Sequence, residues 1–147
     1  MSADGKTKAL NALRAAHQAK IEAEDGVTQA VVDARHVKAA WQRIADELGV
    51  AQPNAVRKYK PHLAERAALQ KWEGEADPAT PALVAIRHAV RALEDAEEAE
   101  LKAVAEARSA EVTWSDIADA VGMKQPNAVA KYRPKLTVTV QVEVAAK

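Results

Sequence analysis

The chain has 147 residues, enough for one domain or two small ones with a buried core. Ala alone occurs 35 times, Phe and Cys are absent, and Trp with Tyr number five; this argues against a sandwich or barrel, favours helices, and excludes disulfides, thiolate metal sites and a cysteine nucleophile. The 21 basic residues balance the 21 acidic ones, so neither a uniformly basic nucleic-acid coat nor a long acidic tail is present.

No apolar run reaches the ~20 residues of a membrane span, and the N-terminus lacks the apolar core of a secretory signal, so a cytoplasmic protein with no membrane partner is expected. From the N-terminus, Leu10, Leu13, Ile21, Val27, Val31 and Ala34 recur at near-helical spacing and predict a long helix, continuous through Gly26, with a break near Asp25-Gly26 as the alternative. Trp41 to Leu48 reads as a short amphipathic helix stopped at Gly49, after which Val50 is expected to turn inward. A second helix starts near Gln52, where Pro53 is tolerated because first-turn amides have no intrahelical acceptor. Residues 62–72 read as an extra helix with Leu63, Ala67 and 69–72 on one side, and residues 74–81, with two prolines and a glycine, as a linker.

Beyond the linker the chain repeats itself. Displaced by 73 positions, residues 41–61 lie on residues 114–134 without a gap, sharing Ile-Ala-Asp, Gln-Pro-Asn-Ala-Val and Lys-Tyr. The match extends upstream through Ala34-Arg35 over Ala107-Arg108, Ala30-Val31 over Ala103-Val104 and Leu10 over Leu83. A second long helix is marked by Leu83, Ile86, Val90, Leu93, Leu101, Val104 and Ala107. The expected organisation is a first repeat at 1–73, a linker at 74–81, a second repeat at 82–136 and a C-terminal element at 137–147. In that element Leu136, Val138, Val140, Val142 and Val144 alternate with polar residues, the pattern of a β-strand. A lone strand cannot satisfy its own backbone, so pairing with the same strand of a second chain, a homodimer through residues 136–144, is expected, the alternative being a frayed tail.

The shared core, Trp-x-x-Ile-Ala-Asp-x-(Leu/Val)-Gly-(Val/Met)-x-Gln-Pro-Asn-Ala-Val-x-Lys-Tyr, resembles the helix-turn-helix of DNA-binding proteins. Ala45, Gly49, Val50, Ala55 and Tyr59 carry the resemblance in the first copy, and Ala118, Gly122, Met123, Ala128 and Tyr132 in the second. The wording is similar to small actinobacterial, phage or plasmid regulators, with Lys58 and Lys131 as departures where many relatives of the motif are apolar. The resemblance implies a mainly α fold: two tandem helix-turn-helix units related by a pseudo-two-fold, each preceded by a long helix. The second helix of each unit would enter the major groove by its N-terminal end.

Gln52, Asn54 and Arg57, with Lys124, Gln125 and Asn127, are then the base-reading candidates, since Gln and Asn pair bidentately with adenine and Arg with guanine. The competing reading has Gln52 and Asn54 only capping their helix. Lys58, Lys60, Lys131, Arg133 and Lys135 would meet phosphates, or else simply complement the helix dipole. Residues 38–63 hold five basic and two acidic side chains and residues 112–136 four and two, whereas Glu94, Asp95, Glu97, Glu98, Glu100 and Glu106 gather on the second long helix.

Trp41 and Trp114 read as core anchors. His17, His36, His62 and His88 show no metal-ligand spacing, and no phosphate loop or catalytic triad appears, so no enzyme, metal or cofactor is expected. The function expected is sequence-specific binding of double-stranded DNA in successive major grooves, hence transcriptional regulation at the nucleoid. The alternatives are a protein-interaction adaptor using the acidic helix and C-terminal strand, and non-specific DNA packaging.

Overall fold

The computed structural model describes the backbone of residues 3–146 and the side chains of residues 4–136. Six helices follow in order: α1 (Ala3–His36), α2 (Trp41–Leu48), α3 (Gln52–Glu65), α4 (Ala79–Ser109), α5 (Trp114–Ala120) and α6 (Gln125–Ala146). Helix α1 runs unbroken through Gly26. No helix among the described residues is long and apolar enough to cross a membrane.

The 73-residue repeat extends to the details of helix ends. Lys38 and Glu111, matched positions, take φ of 64° and 66°. Those left-handed residues turn the chain so that Ala39 N–H donates to the Ala34 carbonyl at 3.0 Å and Val112 N–H to that of Ala107 at 2.9 Å. Arg35 and Arg108 then donate to the carbonyls of Ala39 and Val112, each at 2.7 Å. The same guanidinium groups lie 5.0 and 5.1 Å over the rings of Trp41 and Trp114, fixing where each short helix starts.

Helices α2 and α5 end on glycine turns. Gly49 has φ of 72° and Gly122 of 66°, which lets Val50 N–H reach the Ala45 carbonyl at 3.1 Å and Met123 N–H that of Ala118 at 2.9 Å. A Cβ on Gly49 would meet nothing within 4 Å, so only backbone strain opposes one. Gly49→Ala is therefore expected to lower stability by about 1–2 kcal/mol in urea melts; an unchanged midpoint would show that this turn relaxes.

Three expectations are corrected. Val50 does not turn inward: its amide caps α2 while its short side chain stays 44% exposed, whereas the longer Met123 packs on its core. The extra helix at 62–72 is absent. Residues 62–65 extend α3, and Arg66 at φ −121° and ψ 140° ends it, because α1 competes for the following backbone. Asp33, only 6% exposed, accepts Leu69 N–H at 2.8 Å, Gln29 donates to the Ala67 carbonyl at 2.9 Å, and Arg66 pairs with Asp25 at 2.6 Å. The C-terminal β-strand is the third. Helix α6 continues through Pro134 to Ala146, and no strand occurs among the described residues. A helix satisfies its backbone within its own segment, which offsets the low helix propensity of a Val/Thr run, at most ~0.7 kcal/mol per residue. The dimer expected through residues 136–144 has no strand to make it. The linker also shortens, since Ala79–Pro81 form the first turn of α4.

Two compact units result, and neither follows the repeats: one spans residues 21–95, the other residues 1–20 with 96–147. In the first, Val27, Val31 and Ala34 of α1 pack with Leu83 and Ile86 of α4 around Ile44 of α2 and Tyr59 of α3. In the second, Leu13 of α1 packs with Val104 and Ala107 of α4 around Ile117 of α5, Ala128 and Tyr132 of α6. Each motif of short helix, glycine turn and second helix thus rests on the late half of its own long helix and the early half of the other repeat's. The Ala at the closest positions, Ala45, Ala55, Ala118 and Ala128, is at most 2% exposed, as close helix packing requires.

Candidate nucleic-acid interface

Within the unit of residues 21–95, α3 is fixed by its inner face. Ala55 and Tyr59 are buried and Val56 half-buried, while Gln52, Pro53, Asn54 and Arg57 are exposed together. The N-cap is Ala51, with no side-chain capping hydrogen bond. Gln52 and Asn54 therefore do not spend their amides on capping this helix. Arg57 Nη1 lies 3.5 Å from Asn54 Oδ1, which places both on one exposed face. Lys58 and Lys60 follow, exposed, with the Lys58 ammonium 5.4 Å from the centre of the Tyr59 ring.

The unit holding α6 repeats this layout. Lys124, Gln125, Pro126 and Asn127 are exposed, Ala128 and Tyr132 buried, and Val129 half-buried. Ala130 stands where α3 has Arg57, so the two exposed faces are related but unequal. Arg133 and Lys135 are exposed. The Lys131 side chain is 35% exposed and its ammonium is 3.9 Å from Glu100 Oε1.

Glu100, one of the acids gathered on the second long helix, is buried to 2% exposure. The Tyr132 hydroxyl donates to Oε1 at 2.5 Å, and His17 Nδ1 stands 2.7 Å from Oε2. The Lys20 ammonium is 3.7 Å from Oε1. Burial pushes the Glu100 carboxyl up, but the hydrogen bonds from Tyr132 and His17 and the charges of Lys20 and Lys131 outweigh it and hold it below the ordinary carboxylate value. Tyr132 is pushed well above the usual phenol range, first by burial and then by its bond to Glu100. A signal was available: Glu100 lies seven residues from both Leu93 and Ala107 on the apolar stripe, in register with buried Val27 of the other repeat.

Glu94, Asp95, Glu97, Glu98 and Glu106 are exposed. One ion pair supports the other unit from outside: Arg87 donates to both Glu47 oxygens at 2.7 and 2.9 Å, and that bidentate bond lowers the Glu47 carboxyl. Among the described residues no group of His, Asp and Glu could hold a metal ion. Comparison of the chain with protein-family models, with curated proteins and with solved structures finds no match.

Proposed function

We propose that the protein binds double-stranded DNA sequence-specifically through α3 and α6 and regulates transcription by occupying its site at the nucleoid. The observation that carries this reading is the doubled layout. In both units a short helix, a glycine turn and a second helix leave Gln-Pro-Asn exposed on the opening turn while Ala and Tyr fix the opposite face. Amides exposed on the first turn suit the edge of adenine, and Arg57 suits guanine in one half-site only. Two related but unequal half-sites follow. Lys58, Lys60, Arg133 and Lys135 would supply phosphate contacts; Lys131, engaged with Glu100, would contribute less.

Selecting bound duplexes from a random pool tests the reading. One motif with two unequal halves is the expected result, with affinity falling steeply as salt rises. The Gln125→Ala, Asn127→Ala double variant should lose preference in one half-site by about 1–3 kcal/mol per base pair read, with little change in affinity for random duplex. An unchanged motif would remove these residues from base reading. Equal affinity for selected and random duplexes would leave non-specific packaging, and binding without a salt slope would sink the DNA reading altogether.

A further inference from the structure

Asp25, Gln29 and Asp33 stand four residues apart, one row along α1, and this row takes up the non-helical segment that follows α3. Asp25 pairs with Arg66 at 2.6 Å, the Gln29 amide donates to the Ala67 carbonyl at 2.9 Å, and Asp33 accepts from Leu69 N–H at 2.8 Å. Two of these contacts go to backbone, and the Leu69 side chain is left 77% exposed. What the row recognises is therefore an arginine followed by backbone that no helix has already paired.

The 73-residue shift sets Glu98, Lys102 and Glu106 of α4 on that row, within the unit that holds residues 96–147. Each point keeps its chemistry: a carboxylate for an arginine, a donor for a carbonyl, a carboxylate for an amide N–H. The cover is what differs. Asp33 is 6% and Val32 4% exposed, whereas their counterparts Glu106 and Ala105 are exposed and half-buried. Glu98 and Lys102 are exposed too, and among the described residues no hydrogen bond or ion pair engages any of the three. The row is thus not used up in the i, i+4 pairs of an ordinary solvated helix face. Nor does the chain's continuation repeat the segment, since residues 139–142, the counterparts of 66–69, belong to α6, and Thr139 stands at the place of Arg66.

We infer that this face of α4 docks a partner protein through a non-helical, arginine-bearing segment, its arginine on Glu98 and its following backbone on Lys102 and Glu106. The occupant is read from the other repeat, where the matched row already holds such a segment, and from the complementary charge of Glu98 and Glu106. The site stands independently of the DNA reading and is tested without DNA. Full-length protein is titrated with a capped peptide of its own residues 65–73, Glu-Arg-Ala-Ala-Leu-Gln-Lys-Trp-Glu, following backbone amide NMR signals. The α1 row is occupied by its tethered segment, so the α4 row is the one open to the peptide. Saturable shifts centred on residues 98–106 are expected, with a dissociation constant of about 1 mM or below, as suits an untethered segment. Glu106→Ala should weaken binding about tenfold. Glu98→Ala, or alanine in place of the peptide's arginine, should weaken it about threefold, while Asp119→Asn on α5 leaves it unchanged. No saturation by about 5 mM peptide, shifts centred elsewhere, or equal binding by Glu98→Ala and Glu106→Ala with the parent overturns the site. The same shifts on concentrating the protein alone would make a second copy the occupant and overturn the foreign partner.

Discussion

Residues 1–73 and 74–147, produced as separate chains, are each expected to lack a stable monomeric fold, and to regain native helicity when mixed in equal amounts. The reason lies in how the units draw on the repeats. The core around Val27, Val31, Ile44 and Tyr59 is completed by Ala82, Leu83 and Ile86, none of which the first half contains. Exposing side chains such as Leu83 and Ile86 costs about 1.5–3 kcal/mol each, against a total stability of about 5–15 kcal/mol for a domain. Self-pairing of the first half would set His17 and Lys20 against Val27 in place of Glu100, and self-pairing of the second would set Glu100 against Val90 and Leu93. The first separates half-buried His17 from the Glu100 carboxylate and the second leaves buried Glu100 without His17, so the mixed pair is favoured. Circular dichroism with sedimentation at several concentrations checks this. A folded, monomeric half would show that the repeat, not the compact unit, is the folding unit.

Glu100→Ala is expected to cost about 3–5 kcal/mol, because it removes the acceptor of the Tyr132 hydroxyl and the carboxylate beside His17 from a buried site. For a chain of this size that is a fall of roughly 10 °C in melting temperature. The triple change Glu100→Val, His17→Val, Lys20→Leu, which installs the other unit's residues, should recover most of the loss. If single and triple variants melted alike, the polar cluster would not be acting as one group. The pH dependence has a definite sign. Since the folded carboxyl titrates below its ordinary value of 4.5, its contribution is fully present above that value and is lost as pH falls through the folded pKa. Acid melts of the triple variant should lack this segment of pH-dependent loss.

Much of this was legible in sequence because it depended on short-range rules. Gly49 and Gly122 ended their helices where a residue without Cβ was needed, and Pro53 stood in a first turn that could accept it. The positions Ala55, Tyr59, Ala128 and Tyr132, which carry the resemblance of the shared core, are buried. The same rules misread residues 66–72, where Ala and Leu suggest helix but Asp33 and Gln29, more than 30 positions earlier in the chain, hydrogen-bond the backbone outside any helix. They misread residues 137–146 as well, since alternation reports a preference for a pleated surface and says nothing of whether a partner strand exists.

The sequence by itself determined the repeat, the two short-helix, glycine-turn, second-helix motifs, and which side chains of α3 and α6 face outward, because each is set within a few residues of the chain. Only the tertiary structure decided that each motif rests on helix halves from both repeats, and that Glu100 lies at the centre of a charged cluster while its counterpart is Val27. Those outcomes depend on which distant helix supplies the opposite wall. A carboxylate on an apolar stripe is stable when His17, Lys20 and Tyr132 surround it, and no local pattern records that they do.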